Sequence, residues 1–336
     1  MNRVFITISR YLDIVSGMQS CLSTVKALAD ETRLRIVRIL MTGSYNVNEL
    51  VTILSMGQSR VSRHLRILSD AGLVRARRQG TWVYYELTGP WESETRSGFL
   101  PSFADELSSN PLQFAATDDR GIKACLNQRS RQAERFFNDV AERDDSQREE
   151  IEGPADHHEL LSSILASVPG DESNGTVVDL GTGTGRLLSL LCENSRHVIG
   201  VDGARELLEV ARKRSEELEL GEVEFRLGSL EHLPLRDGEA DAMVANMVLH
   251  HVANPPAVIK EVHRGLVPGG RFLLADYVAH WRESHREKLG DLWLGFNREE
   301  LIGWLELAGF EVESERELPG NRRRPGVFVM ESNRRS

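Results

Sequence analysis

The chain has 336 residues, 40% of them hydrophobic and 27% charged, and its formal net charge is −10. This length predicts about two domains, and the composition is that of a globular protein. No apolar run approaches the ~18 residues of a membrane span, which excludes a membrane partner. The cysteines Cys21, Cys125 and Cys192 lack disulfide or zinc-site spacing, so we expect no bound metal and a cytoplasmic location.

The charge is unevenly distributed. Residues 18–90 contain ten Lys and Arg against five Asp and Glu, whereas residues 91–336 have a net charge of −16. A basic front segment joined to an acidic rear segment is typical of a DNA-binding domain fused to a second domain. We therefore predict a DNA-binding domain over 18–90, a helical linker or dimerisation segment over 91–154, and a rear domain over 155–336.

In the front domain, apolar periodicity predicts four helices, over residues 22–29, 32–41, 47–54 and 58–70. Asp30 is the expected cap of the second helix, and Gly57 is expected to give the tight turn before the last, which is helix–turn–helix spacing. Val61, Leu65 and Leu68 would face the core. The opposite side of this recognition helix would then present the candidate DNA-binding residues Gln58, Ser59, Arg60, Ser62 and Arg63.

Residues 73–87 follow the recognition helix and alternate as two strands around Gln79-Gly80. This pattern predicts a β-hairpin wing. We expect Arg77 and Arg78 to lie near its tip and to contact DNA, since outward arginines usually meet phosphates.

The segments LADETRLRIVRIL and QSRVSRHLRILSDAGLVRARRQGTWVYYEL resemble the ArsR/SmtB family of winged-helix repressors over about 70 residues. The resemblance implies a homodimer that binds a palindromic double-stranded operator through paired recognition helices. Many members sense metals through cysteines in the helix before the recognition helix. Val47–Val51 here contains no thiolate, so soft-metal sensing is not expected there. Because the resemblance begins just after Met18, we expect translation to start at that residue.

The middle of the chain has no clean motif. Residues 93–110 and 121–144 have the pattern of amphipathic helices, the second with Ala133, Phe136, Phe137 and Val140 on one side. We interpret this stretch as the domain connector, with helices that could pair across a dimer.

In the rear domain, short apolar segments alternate with helical ones, which predicts a parallel sheet with helices on both faces. The predicted strands cover residues 176–180, 197–201, 223–227, 240–246, 271–275, 311–314 and 327–331, and Pro268-Gly269-Gly270 is predicted as a turn. The first strand leads into the turn Gly181-Thr182-Gly183-Thr184-Gly185, where glycines allow a ligand close to the backbone. The second strand ends at Asp202, whose two oxygens can accept both hydroxyls of a ribose.

The segments VVDLGTGTGRLL, VIGVD, LGSLEHLP, VLHHV and LVPGGRFLLADY together resemble class I S-adenosylmethionine-dependent methyltransferases over about 160 residues. The resemblance implies a Rossmann-like α/β domain with a seven-stranded, mostly parallel sheet that binds S-adenosylmethionine or S-adenosylhomocysteine. The cofactor-binding residues it implies are Asp179, Gly181, Gly183, Gly185, Asp202, Gly203, Ser229, Leu230 and Asn246. Many relatives have an acid at the position of Ser229, so adenine recognition here could depend on backbone groups.

The candidate catalytic residue is His250, just after the fourth strand. Histidine suits a general base, and the position resembles the catalytic histidine of small-molecule O-methyltransferases. The alternative is a packing or helix-capping histidine. Residues 277–296 should cover a small-molecule acceptor that the sequence does not identify. Arsenite is not the expected acceptor, because Cys192 is the only thiol of the rear domain.

Three interpretations follow from the sequence. The first is an ArsR-type DNA-binding regulator fused to a working methyltransferase. The second is a repressor whose rear domain only senses S-adenosylmethionine or its product. The third is a small-molecule methyltransferase whose winged helix only dimerises, and the outward arginines disfavour it.

Overall fold

The computed structural model describes residues 22–88, 99–109, 112–141, 175–221, 223–321 and 324–335. The predicted start at Met18 lies outside these ranges. The chain divides into two compact units, Met1–Cys125 and Leu126–Ser336. The division falls inside the segment 91–154 that the sequence predicts as a linker. Within the described residues, no helix is long and apolar enough to cross a membrane.

The first unit is helical with a small sheet. After a helical segment over 22–28 come α1 (Glu31–Leu40), α2 (Val47–Leu54), α3 (Gln58–Asp70), α4 (Phe99–Ser109) and the long α5 (Ala115–Ala141), which continues into the second unit. The predicted cap of α1 is confirmed, because the Asp30 side chain accepts a hydrogen bond from the Arg33 amide. Val61, Leu65 and Leu68 of α3 are fully buried, as their spacing predicts.

The sheet of the first unit contains β1 (Tyr45–Asn46), β2 (Val74–Gln79) and β3 (Trp82–Leu87) in the antiparallel order β1-β3-β2. This confirms the hairpin, but its turn is one residue later than predicted, because Gln79 still pairs with Trp82. The turn before α3 also differs. Ser55 has the left-handed φ of 53°, whereas Gly57 has an ordinary φ of −69°.

The start of α5 packs in the first unit, which the sequence did not predict. Arg35 of α1 donates to both carboxylate oxygens of Asp118, at 2.9 and 2.6 Å, and both side chains are buried. A Cβ on Gly121 would lie 3.0 Å from the Ile53 Cα, so α5 approaches α2 closely. Since removing one partner of a buried ion pair is costly, this pair fixes the helix firmly to the winged-helix core.

The second unit is built on a seven-stranded sheet in the order β6-β5-β4-β7-β8-β10-β9. Its strands are β4 (Thr176–Leu180), β5 (His197–Asp202), β6 (Val223–Leu227), β7 (Ala240–Asn246), β8 (Leu266–Tyr277), β9 (Phe310–Leu318) and β10 (Val327–Arg334). The first five pair in parallel, and β10 pairs antiparallel with both β8 and β9. This is the predicted seven-stranded, mostly parallel α/β sheet.

Helices connect the strands of this unit. They are α6 (Leu188–Asn194), α7 (Arg205–Glu217), α8 (Pro255–Gly265), α9 (Ser284–Lys288) and α10 (Arg298–Leu307). The predicted turn at Pro268-Gly269-Gly270 is instead part of β8. Ala240 pairs with Leu266 and Ala242 with Arg271, so the residues between Leu266 and Arg271 form a bulge inside the strand. The strand begins earlier than predicted because β8 follows α8 without an intervening loop.

Candidate cofactor pocket and nucleic-acid surface

A cavity of about 390 Å³ opens at the carboxyl ends of β4, β5 and β7. In open parallel sheets, ligands bind at this edge, where the strand order reverses between neighbouring strands. β4 lies between β5 and β7, so the cavity is at that reversal. Eight of the nine predicted cofactor residues line it, namely Asp179, Gly181, Gly183, Asp202, Gly203, Ser229, Leu230 and Asn246.

The glycine turn after β4 is hydrogen-bonded to the end of β5. Gly181 and Thr182 both donate their amide hydrogens to the Val201 carbonyl, at 2.8 and 3.0 Å. Gly181 has a φ of +67°, and a Cβ there would lie 2.3 Å from the Val248 Cγ2. Glycine is therefore required at this position for both backbone conformation and space.

Gly185 is the predicted cofactor residue that does not line the cavity. It has a φ of +78°, and a Cβ there would lie 2.7 Å from Leu188 and 3.2 Å from Ala211 of α7. Its small size allows α7 to pack closely against the turn. Gly185 therefore packs against α7 rather than lining the cavity, and its approach to the cofactor stays a prediction.

Asp202 connects the end of β5 to the glycine turn. One carboxylate oxygen accepts the Gly183 amide at 2.9 Å and the other accepts the Ala204 amide at 2.8 Å. Burial raises the pKa of Asp202, and these backbone donors partly oppose that shift. A carboxylate has about four acceptor positions, so the side chain can still accept a hydroxyl of a ligand.

Asp179 is the penultimate residue of β4 and lines the same cavity. Its side chain is 3% exposed and accepts a hydrogen bond from the Thr182 hydroxyl at 2.7 Å. Burial raises the pKa of Asp179 to about 6, against the lowering effect of that hydrogen bond and with a further rise from Asp202. The cavity therefore has two carboxyl groups on one wall.

Glu231 is a cavity residue that the sequence analysis missed. It follows Ser229, whose hydroxyl lies 2.6 Å from one oxygen of Glu231, while the other oxygen accepts the Ala253 amide at 3.0 Å. The acid that relatives have at the position of Ser229 is absent, but an acid two residues later reaches the same wall. The displacement by two residues concealed it.

The carboxyl-terminal part of α5 also lines the cavity, which the sequence analysis missed. Ser130, Ala133, Glu134, Phe137 and Val140 line the cavity. These positions recur at three- and four-residue spacing, and the sequence shows that stripe. The sequence pattern suggests a face that pairs across a dimer. The glycine turn that shares this cavity with the stripe lies far away along the chain, so the pattern alone does not indicate it.

His250, the predicted catalytic base, does not line the cavity. It is 2% exposed, its Nδ1 lies 2.7 Å from Asp276 Oδ1, and its Nε2 lies 3.8 Å from Asp291 Oδ1. Burial lowers the pKa of His250, but the two carboxylates raise it by more. His250 is therefore packed outside the cavity lining, and the amides of Leu292 and Trp293 donate to its carbonyl, so its role as a base toward the acceptor stays a prediction. The alternative of a packed histidine describes its position.

The neighbouring His251 lines the cavity instead. Its ring packs edge-on against Phe137 of α5, with centroids 4.7 Å apart. Burial, followed by repulsion from His250, lowers the pKa of His251 to about 3. A histidine with that pKa holds almost no proton at neutral pH and is a weak base, so His251 does not replace His250 as the proton acceptor.

The recognition helix α3 presents a polar surface. Gln58, Ser59, Arg60, Ser62 and Arg63 are all exposed, as predicted, and so is Arg78 of the wing. Because they are exposed, these side chains are available to a ligand. Their role as DNA contacts is a prediction.

Arg77 is a correction to the predicted wing surface. Its side chain is 8% exposed and its Nε lies 3.7 Å from Glu86 Oε2, also buried. Strand alternation places Arg77 on the inner face of the hairpin, opposite to Arg78. The guanidinium therefore packs inside the unit and is withdrawn from the candidate DNA surface.

Comparison with known families matches both parts of the chain. Residues 30–76 match the family described as bacterial regulatory protein, arsR family, and residues 171–309 match the methyltransferase domain family. An arsenic resistance transcriptional regulator of Pseudomonas putida is 35% identical over 99 residues, which cover 28% of this chain and 77% of that regulator. The chain therefore belongs to the ArsR family, and it carries a class I methyltransferase fold behind its winged helix.

Other similarities cover smaller parts of the relatives. Arsenite methyltransferase of Halobacterium salinarum is 35% identical over 119 residues, which cover 34% of this chain and 29% of that enzyme. Three further curated relatives are matched over 33% to 46% of their lengths. The crystal structure of the YcgJ protein from Bacillus subtilis has a TM-score of 0.46 at 19% identity, covering 54% of this chain and all of that one.

Proposed function

We propose that this chain is a DNA-binding regulator whose rear unit binds S-adenosylmethionine and transfers its methyl group to a small acceptor. The observation that carries the proposal is the cavity at the strand-order reversal, lined by the glycine turn and by Asp202. Its volume of about 390 Å³ is within the ~300–1,000 Å³ of typical small-molecule sites.

The donor groups of the cavity suit this cofactor. Asp202 offers carboxylate oxygens to ribose hydroxyls, and Asp179 places negative charge where the cofactor's ammonium and sulfonium need it. Leu230, which is buried, gives the adenine an apolar surface beside the polar pair Ser229 and Glu231. Both the charge and the polarity of these walls fit S-adenosylmethionine or its product.

S-adenosylmethionine supplies an electrophilic methyl group, and the residues of the chain bind the cofactor and orient it toward the acceptor. Methyl transfer is an in-line displacement, so most of the rate enhancement comes from alignment of the two reactants and exclusion of water. Phe137 and Val140 of α5 close one side of the cavity, while Asn246 and Val248 form the floor after β7. No step in this scheme uses His250 as a base.

Calorimetry with S-adenosylmethionine and S-adenosylhomocysteine tests cofactor binding. We expect Asp202→Ala to weaken binding by about 1–3 kcal/mol, the usual effect of leaving buried hydroxyls unpaired. Glu209→Ala, an exposed carboxylate on α7, is the matched control and should bind as the wild type does. Unchanged affinity in Asp202→Ala would remove this residue from the site, and wild-type protein that binds neither compound would refute the cofactor.

The DNA-binding part of the proposal is supported by family membership and by the exposed α3 surface. We propose a homodimer that binds a two-fold symmetric operator, because paired recognition helices read two half-sites. Arg60 and Arg63 are exposed near the start of α3, where base edges are read, whereas Arg78 is placed to meet phosphates.

Selection of bound genomic fragments, followed by affinity measurements at several salt concentrations, tests this. Arg60→Ala and Arg63→Ala should each reduce affinity for the selected site by about 1–3 kcal/mol if they contact bases. Arg78→Ala should reduce the salt slope by about one. Lys213→Ala, an exposed cation of the rear unit, is the charge-matched control. Recovery of no preferred sequence would favour a winged helix that only dimerises.

A second candidate is a rear unit that binds the cofactor without turnover. The position of the two histidines favours it, because His250 is covered and His251 has a low pKa. Incubation with labelled S-adenosylmethionine and a cell lysate distinguishes the two functions. Label that enters a small molecule supports transfer, whereas cofactor binding with no labelled product supports sensing.

A further inference from the structure

A cluster of buried histidine and aspartate side chains lies beside the cavity and outside the proposed cofactor contacts. His250 and His251 form the short helical turn after β7, and Asp291 lies in the loop after α9. One ring nitrogen of each histidine and one carboxylate oxygen of Asp291 lie within 4.8 Å of one another. All three residues are buried, so this juxtaposition is not an accident of a solvated surface.

The surroundings of His250 fix the direction of its ring. Asp276 is fully buried and receives the Tyr277 amide at 2.7 Å, and it lies 2.7 Å from His250 Nδ1. In the neutral ring Nδ1 is then the protonated nitrogen, which leaves the lone pair on Nε2, the atom that lies 3.8 Å from Asp291 Oδ1. A carboxylate behind a histidine is the usual support of a metal-binding imidazole.

His251 and Asp291 are also held in place by hydrogen bonds to neighbouring groups. The Nδ1 of His251 lies 3.3 Å from the Gly290 carbonyl, which favours a proton on Nδ1 and a lone pair on Nε2. Asp291 Oδ2 lies 3.1 Å from His285 Nδ1, while Oδ1 is buried and has no hydrogen-bond partner among the described residues. The loop is tied to the turn, because Leu292 and Trp293 both donate to the His250 carbonyl.

We infer that His250, His251 and Asp291 form a binding site for one divalent transition-metal ion. Two imidazole nitrogens and one carboxylate oxygen suit Zn²⁺, Co²⁺ or Fe²⁺ and disfavour Mg²⁺ and Ca²⁺, which prefer oxygen ligands. Three protein ligands leave a position open, as in catalytic zinc sites. Because bound ligands around zinc lie roughly 3.3 Å apart, the donor atoms need only a small inward movement.

An overlapping cluster, His280, His285 and Asp291, is the weaker alternative. His280 Nδ1 accepts the Arg282 amide at 3.2 Å, so its proton is on Nε2, the nitrogen that would have to bind the ion. His285 is already hydrogen-bonded to Asp291. These contacts make His285 a support of Asp291.

Titration of the chelator-treated full-length protein with Zn²⁺ alone tests the assignment, independently of cofactor or DNA binding. We expect one equivalent to bind, with no binding of Mg²⁺ at the same concentrations. Asp291→Asn and His250→Gln should weaken Zn²⁺ binding by at least about 100-fold, and Asp276→Asn by about 10–100-fold. His232→Gln, an exposed histidine of the same unit, is the control and should leave binding unchanged.

If these variants fail to fold, X-ray absorption spectroscopy of the zinc-bound wild-type protein tests the site instead. A first shell of nitrogen and oxygen with the outer scattering of two imidazoles supports the site. Less than one equivalent of Zn²⁺, a sulfur-containing shell, or full Zn²⁺ affinity in folded His250→Gln and Asp291→Asn overturns it. Loss of binding in His280→Gln with retention in His250→Gln also overturns it, in favour of the other cluster.

Discussion

Asp179 is held ionised at neutral pH against the effect of its burial. Its pKa is about 6 in the folded state, above the ~3.9 of an unperturbed aspartate. The folded state therefore binds more protons than the unfolded state between these two values, so stability is lost as pH rises from about 4 to about 6. The carboxylate is destabilising above pH 6, as expected of a residue retained for binding.

We accordingly expect Asp179→Asn to raise the free energy of unfolding at pH 7.5 by about 1–3 kcal/mol, because the amide has no charge to bury. At pH 4 the gain should largely vanish. Urea denaturation at both pH values measures it, and Asp139→Asn, at an exposed position of α5, should show no such difference. An equal effect at both pH values would contradict the shifted pKa. The variant should also weaken S-adenosylmethionine binding.

Individual residues were predictable where local sequence determines their position. The glycine turn and Asp202 follow from one strand–turn–helix segment, so eight predicted residues lie together. Gly185, His250 and Arg77 lie in surroundings that the sequence does not predict, and the reason is common to all three. Their surroundings are set by Ala211, Asp291 and Glu86, which come from other elements, and no local pattern shows those contacts.

Among the helices and strands, α5 contributes a wall of the cavity that the sequence motifs do not predict. The ring of Phe137 lines the cavity and packs against His251, while Arg135 on the same helix is exposed. Arg129 donates to the Ala253 carbonyl at 3.0 Å, which holds the helix against the turn after β7. This helix therefore forms part of the cavity wall, although no motif marks it.

Phe137→Ala should weaken S-adenosylmethionine binding about fivefold. Removal of roughly 50 Å² of apolar contact, at about 25 cal/mol per Å², corresponds to about 1 kcal/mol. Calorimetry on Phe137→Ala and on the control Arg135→Ala measures the difference. Equal affinities for the two variants would show that α5 borders the cavity without contacting the cofactor.

The elements themselves were largely predictable, and their ends were less so. All seven strands of the rear sheet were located, because short apolar runs alternate with helical ones. The start of β8 was missed, since the bulge before Arg271 looks like a turn in sequence. The start of α5 at Ala115 was missed as well, because the buried pair Arg35 and Asp118 makes a charged segment part of a core.

For the whole molecule, we expect cofactor binding and operator binding to influence each other. If they do, linkage requires that DNA change cofactor affinity by the same factor, typically 5–150-fold. Operator affinity measured with S-adenosylmethionine, with S-adenosylhomocysteine and with neither is the direct test. Three equal affinities, with both ligands shown to bind, would mean that the two activities are independent.

The continuity of α5 determines how this chain can be divided. Its first residues complete the core around α1 and α2, and its last residues close the cavity, so one 27-residue helix is shared by two folding units. The sequence motifs suggest cutting between residues 90 and 155. A junction before Cys125 or after Leu126 removes part of one unit, and a junction between these two residues interrupts α5. A chimera that exchanges the winged helix for another must therefore keep the native helix from Ala115 onward and rebuild the partner of Asp118.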